Sequence, residues 1–161
     1  MYQQIGLKVI RGSRDDVIQR FALTLKHYNC EAFFRICADS PLLLPHLFDH
    51  AVSIYQKKSY DIITNVFPRT YPAGMSVELF KTDKFLNLKN FFLNDDEKEH
   101  ISKYYYLNSN DFQIHNIECA TQIQPELNLT VDEIGDIKKI EKWLLNNKSD
   151  YKNLFPIKFT K

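Results

Sequence analysis

The six residues Ala32-Phe33-Phe34-Arg35-Ile36-Cys37 form a nearly uninterrupted apolar run that ends, two positions on, in the carboxylate of Asp39. A strand covered on one face alternates apolar and polar residues, whereas one covered on both faces reads as a continuous run, as this segment does. Open α/β sheets place their ligand-binding groups just past the carboxyl ends of such strands, which is where Asp39 stands, followed by the turn residues Ser40 and Pro41. Later in the chain Leu129-Thr130-Val131 reads as a second short buried strand, and it leads into Asp132 and Glu133. Two carboxylates delivered in this way can share one divalent metal ion.

The surrounding periodicities supply the rest of an α/β chain. Gly6-Leu7-Lys8-Val9-Ile10 reads as an opening strand, and Ser13 with Asp16 three positions on reads as a helix start capped by Ser13. That helix runs to about Asn29, with Val17, Phe21, Ala22, Leu25 and Tyr28 on one stripe. Pro45 suits a first helical turn, and Leu47, Phe48, Val52 and Tyr55 continue at helical spacing to Lys57. Tyr60 to Asn65 is a strand, Pro68 to Gly74 a turn-rich loop, and Ser76 to Phe80 a half-exposed strand. Helices over 82–93 and 95–106, a strand over Phe112 to Ile117 and a terminal amphipathic helix carrying Ile134, Ile137, Ile140, Trp143 and Leu144 complete the series. Strands alternating with helices predict an α/β three-layer sandwich with a mixed, mostly parallel sheet.

Length and composition bound the function. With 161 residues and 44% hydrophobic content, the chain suits one domain, 1–161, with a proper core. Its 21 basic and 20 acidic residues leave a net charge of +1, so no global field draws in nucleic acid or an anionic membrane. The longest apolar stretch is far below the roughly 18 residues that a membrane-spanning helix needs. Cys30, Cys37 and Cys119 are odd in number and lack Cys-x-x-Cys spacing, and no cationic-then-apolar leader follows Met1. These features predict a reduced, cytoplasmic protein.

Five ordered blocks carry a resemblance. They are Arg11-Gly12-Ser13 with Asp15-Asp16-Val17; Arg35 to Pro41; Pro68-Arg69-Thr70-Tyr71-Pro72 with Gly74 and Val77-Glu78; Glu99-His100; and Thr130-Val131-Asp132-Glu133. In order and spacing they resemble the spore coat polysaccharide biosynthesis protein F group, which belongs with the CMP-Kdo and acylneuraminate cytidylyltransferases. The resemblance implies a nucleotide-diphospho-sugar transferase-like fold and a CTP-dependent activation of an acidic or related sugar. On that resemblance a sugar oxygen would attack the α-phosphate of CTP with Mg2+ neutralising phosphate charge, and pyrophosphate would leave. On the family pattern Asp39 and Asp132 match the metal-binding positions, and Arg11, Gly12 and Ser13 match the segment near the nucleotide base. Arg69 and Glu78 match the sugar side of the cleft, where Glu99 and His100 also fall. Arg35, Glu99 and His100 are the candidate catalytic side chains.

The departures from the family pattern are specific. The usual opening strand and loop, of the type Gln-Ala-Arg-x-x-Ser-x-Arg-Leu-Pro-Gly-Lys, has no counterpart here, which predicts a fold incomplete at its N-terminus. The missing strand is central to the family sheet, so its loss predicts either a homo-oligomer that covers the exposed edges or a partner chain that brings the phosphate loop. Acidic residues usual in the family appear as Leu44, Ala73 and Ser76, a proline as Lys103 and an arginine as Asn128.

Two other classes remain open from the residues. The first is a catalytically inactive remnant that serves as a binding or oligomeric module, which the absent loop and substituted acids favour. The second is a nucleotide-sugar-dependent glycosyltransferase, ranked last because Asp39 is followed by Ser40-Pro41 rather than completing Asp-x-Asp. Among smaller features, His46 and His50 have chelating spacing on a helix but no third ligand near them in sequence. Cys37 reads as a small buried hydrophobe and Tyr104-Tyr105-Tyr106 as packing.

Overall fold

A computed structural model describes residues 6–88, 91, 93–121, 126–147 and 151–159. The elements, in chain order, are α1 (Val17–His27), β1 (Ala32–Arg35), α2 (Pro45–Lys57), β2 (Ile62–Thr64), β3 (Glu78–Lys81), α3 (Thr82–Asn87), α4 (Asp95–Glu99), α5 (Lys103–Leu107), β4 (Ile114–Asn116) and α6 (Ile134–Asn147). The sheet order is β1-β3-β2-β4. Strand β2 pairs antiparallel with β3, Ile63 opposite Leu79, and parallel with β4, Ile63 opposite His115. This is the α/β fold with a mixed sheet that the strand-helix alternation implies. Among the described residues, no helix is long and apolar enough to cross a membrane.

The chain groups into two compact units, one of residues 1–33 and 81–112, the other of 34–80 and 113–161. In the first, α1 is capped by Asp16, whose carboxylate accepts the Gln19 N–H at 2.8 Å. Phe21, Phe33 and Phe85 meet edge to face or tilted, with ring centroids 5.0 to 6.0 Å apart. Leu88, Ile101 and Tyr105 are fully buried beside Phe85 in this unit's core. The capping box of α4, in which Asn94 and Glu97 bond each other's backbone N–H, holds a helix that is otherwise a run of charges.

In the second unit, Ile62 and Ile63 of β2 and Phe80 of β3 are fully buried with Leu44, Leu47 and Ala51 of the α2 segment. Pro45 opens α2 at its first turn and Lys57 closes it, as the spacing predicts.

Two predicted strands are absent. Residues 6–10 have no strand, and Leu7 and Val9 stay exposed, because among the described residues no neighbouring strand supplies the hydrogen bonds. Leu129-Thr130-Val131 is likewise not a strand; an isolated parallel bridge joins Ala73 to Asn128, and side chains shape the rest. The first helix starts at Val17 rather than just after Ser13, since Asp16 takes the cap and the Ser13 hydroxyl instead accepts the Asp16 N–H at 3.1 Å.

Candidate functional site

In the second unit, β1 ends at Arg35 and the chain turns through Cys37 to Asp39. Arg35 Nη1 donates to Glu78 Oε2 on β3 at 2.9 Å, and the Glu78 side chain is only 3% exposed while that of Arg35 is 26% exposed. The arginine is thus partly exposed while its carboxylate partner is held in the interior. Burial pushes the Cys37 thiol up; Arg35 pulls it down, Asp39 and Glu78 push it up, and Arg69 pulls it down. Four of the predicted site residues therefore share the electrostatic surroundings of one thiol, two guanidiniums against two carboxylates.

The loop carrying Arg69 is built by side chains. Asn65, fully buried at the end of β2, donates from Nδ2 to the Met75 carbonyl at 2.8 Å and accepts the Val77 N–H on Oδ1 at 2.8 Å. Asn116 accepts the Phe67 N–H at 3.1 Å and donates to the Pro68 carbonyl at 3.0 Å. Arg69 Nη1 donates to Ser76 Oγ at 3.2 Å. Side-chain amides used this way fix backbone as a turn would, and at the buried Asn65 each bond left unmade would strand a buried polar group.

This loop in turn carries the Asp132 segment. Gly74 has φ +87° and approaches so closely that an added Cβ would lie 2.4 Å from the Leu129 carbonyl oxygen. Leu129 N–H donates to the Ala73 carbonyl at 2.9 Å, and Val131 N–H donates to the Asp39 carbonyl at 2.8 Å. Asn128 Oδ1 accepts the Thr130 N–H at 2.9 Å, and the Thr130 hydroxyl lies 2.8 Å from that same oxygen and 3.1 Å from Asp132 Oδ2. Asp39 Oδ1 accepts the Ser40 hydroxyl at 2.8 Å. The backbone of Asp39 is thus hydrogen-bonded to the residue before Asp132. Asp132 is exposed and Asp39 half-buried, and each carboxylate is a hard oxygen donor of the kind that Mg2+ takes. Among the described residues, no group of three or more His, Cys, Asp or Glu could hold a metal ion by itself.

Asp132 does not cap α6. Asp136, in the first turn of the helix, accepts the N–H groups of Asp132 and Glu133 at 3.1 and 3.0 Å, and the hydrogen bond from Lys139 together with these two holds its carboxyl low.

In the first unit, Ser13 and Glu99 line one cleft with Asp15, Asp16, Asp95 and Lys98. Gly12 lies against α1, where an added Cβ would come within 2.9 Å of Arg20 Cγ. Arg11 is exposed. His100 is turned toward Asp96, its Nε2 3.8 Å from Asp96 Oδ1, and Asp96 is also held by Lys103. The hydrogen bond from Lys103 keeps the Asp96 carboxyl below the usual carboxylate range.

Positions where the sequence departs from the family pattern have local structural uses. Leu44 is core, Ala73 accepts the Leu129 N–H, Ser76 holds Arg69, Lys103 pairs with Asp96 and Asn128 shapes the 128–132 turn. Asn65 is the site-shaping residue that the pattern missed. A polar residue closing an apolar strand just before a Pro-rich loop is the one signal that points to it.

No protein-family model matches the chain. An uncharacterized protein of Methanocaldococcus jannaschii, MJ1063, is 33% identical over 138 residues, covering 83% of this chain and 54% of that protein. The spore coat polysaccharide biosynthesis protein SpsF of Bacillus subtilis is 24% identical over 140 residues, covering 84% of this chain and 56% of that protein. The chain thus spans about half the length of these curated relatives. A solved structure of a cytidylyltransferase from Leptospira borgpetersenii matches with a TM-score of 0.80 and 25% identity, over 94% of this chain and 71% of that one. The architecture is therefore that of a cytidylyltransferase-like nucleotidyltransferase. In sequence, the chain is similar to the spore coat protein F of Bacillus subtilis, as its ordered blocks imply.

Proposed function

We propose that this chain is part of a cytidylyltransferase that transfers the CMP moiety of CTP to an acidic or related sugar for surface or spore polysaccharide synthesis. The observation that carries the proposal is the 2.8 Å hydrogen bond from Val131 N–H to the Asp39 carbonyl, which joins the two carboxylate-bearing segments within a fold shared with a cytidylyltransferase. In this reading Asp39 and Asp132 hold Mg2+. When bound, the ion neutralises phosphate charge and polarises the α-phosphate. Arg35, oriented by buried Glu78, and Arg69, steadied by Ser76, present guanidinium groups to anionic substrate oxygens, the bidentate recognition at which arginine excels. Positioning and charge neutralisation are most of what phosphoryl transfer asks of a protein.

Within the first unit, Ser13 and Glu99 share a cleft, and by resemblance Arg11, Gly12 and Ser13 would serve the nucleotide while Glu99 and His100 would serve the sugar. The Gln-Ala-Arg-x-x-Ser-x-Arg-Leu-Pro-Gly-Lys motif does not occur in the sequence, and in this reading a partner chain supplies the triphosphate cradle. The second reading, a non-catalytic binding or oligomeric module, draws support from Leu44, which is fully buried core where the family has an acid.

Calorimetry separates the two readings. With a phosphate-loop segment supplied, CTP should bind only when Mg2+ is present, and Asp39→Asn or Asp132→Asn should abolish that Mg2+-supported binding. A loop segment that binds the chain without creating any CTP affinity would instead support the non-catalytic module.

A further inference from the structure

The second unit contains a cavity of about 240 Å³ that shares no lining residue with the Arg35–Asp39 cluster. Its walls come from three places. Helix α2 supplies His50, Ile54 and Lys57, β4 and its exit supply His115 to Glu118, and the tail supplies Ile157 to Phe159. The tail is bound there through an isolated antiparallel bridge between Cys119 and Ile157, in which Lys158 N–H donates to the Glu118 carbonyl and Ala120 N–H to the Pro156 carbonyl, each at 2.8 Å. Phe159 closes one side with its ring edge-on to His50, centroids 5.5 Å apart.

The charges in this cavity are mostly of one sign. Glu118 is taken by Lys158 at 2.7 Å. Asp61, the carboxylate nearest in sequence to β2, accepts the Gln113 N–H at 2.9 Å. Among the described residues, no carboxylate pairs with Lys57, His50 or His115. Burial holds the His50 imidazole below its ordinary value, and His115, Lys57 and His46 lower it further. Burial and Lys58 do the same to His115, whose other face packs on the Tyr60 ring at 5.0 Å. With the imidazoles neutral, Lys57 and Lys158 outweigh Glu118 by one charge; protonating both imidazoles makes the excess three.

We propose that this cavity binds a single phosphate group, free or carried on a small molecule, between Lys57 and the imidazoles of His50 and His115. Lys57, which no carboxylate pairs with among the described residues, stands with two imidazoles that gain charge on protonation among Ile54, Ile117, Ile157 and Phe159, a field that an anion would relieve and that apolar walls strengthen. The volume is below the roughly 300 to 1,000 Å³ of pockets that enclose drug-sized ligands, so one phosphate fits the space better than a whole nucleotide. Each imidazole gains a positive charge as pH falls, so anion binding and proton uptake by His50 and His115 reinforce one another. The site stands independently of the nucleotidyltransferase reading.

The test is an NMR titration of the imidazole resonances with inorganic phosphate at pH 6.0, at constant ionic strength, with sodium chloride as the control. His50 and His115 should move together and saturate, and the affinity should fall about tenfold by pH 7.5 as the proton linkage is lost. Lys57→Gln and the double change H50Q/H115Q should lose the binding while keeping the parent's circular dichroism. A hexose phosphate run in parallel distinguishes the sources: tighter binding than inorganic phosphate identifies a carried group, equal binding the free ion. No saturation, or equal shifts with chloride, would overturn the proposal, and the parent titration decides this alone if the variants unfold. Folded variants that bind phosphate as well as the parent would overturn it too.

Discussion

Asn65 and Gly74 show how single residues set the geometry of the carboxylate segments. Asn65 ties the end of β2 to Met75 and Val77, and Gly74 lets the same loop touch the Leu129 carbonyl, from which the chain runs on to Asp132. Gly74→Ala must resolve both a positive φ and a 2.4 Å approach to backbone oxygen, so neither space nor conformation accommodates the methyl group. We expect it to lower the unfolding free energy by about 2 kcal/mol or more in urea titration, and to weaken metal-dependent binding beyond that loss. A variant as stable as the parent would contradict the close packing. Glycine spacing by itself did not disclose this contact, because the partner lies in a segment distant in sequence. Arg35 sits in an otherwise apolar strand, where a guanidinium calls for a counter-ion, and Glu78 supplies it.

At the level of elements, periodicity worked where a segment carries its own hydrogen bonds. Helix α2 begins at Pro45 and ends at Lys57, because its apolar stripe and its Pro at the first turn are both local properties. Strands depend on neighbours that a local pattern does not display, so residues 6–10 and 129–131 read as strands yet lack ladder partners among the described residues, while β2 and β4 are shorter than the strands expected over 60–65 and 112–117. The pairing of α2 with β4 around His50 and His115 also has a pH signature. Burial holds both imidazoles below their ordinary value, so the unfolded chain takes up protons more readily as pH falls through about 6.5. Their contribution to stability is therefore present above that pH and is lost as pH falls toward the folded-state values. The thermal midpoint should drop between pH 7.5 and 5.5, and the double change H50Q/H115Q should flatten the drop. Parallel curves for parent and variant would assign the pH dependence to other groups.

For the whole molecule, the ordered blocks and the strand-helix alternation led to a cytidylyltransferase-like α/β fold with a mixed sheet, the architecture seen in the Leptospira borgpetersenii enzyme. Hidden from the sequence was how the two carboxylate segments are joined, by backbone bonds through Ala73, Leu129 and Val131 rather than by neighbouring strands. The most direct measurement is Mn2+ binding by electron paramagnetic resonance, since Mn2+ favours the same oxygen ligands as Mg2+. The account predicts one site, weakened at least about tenfold, or ~1.4 kcal/mol, by Asp39→Asn or by Asp132→Asn, with the double change little worse than either. Unaltered binding in either single variant, or two losses that simply multiply, would show that the carboxylates do not share an ion.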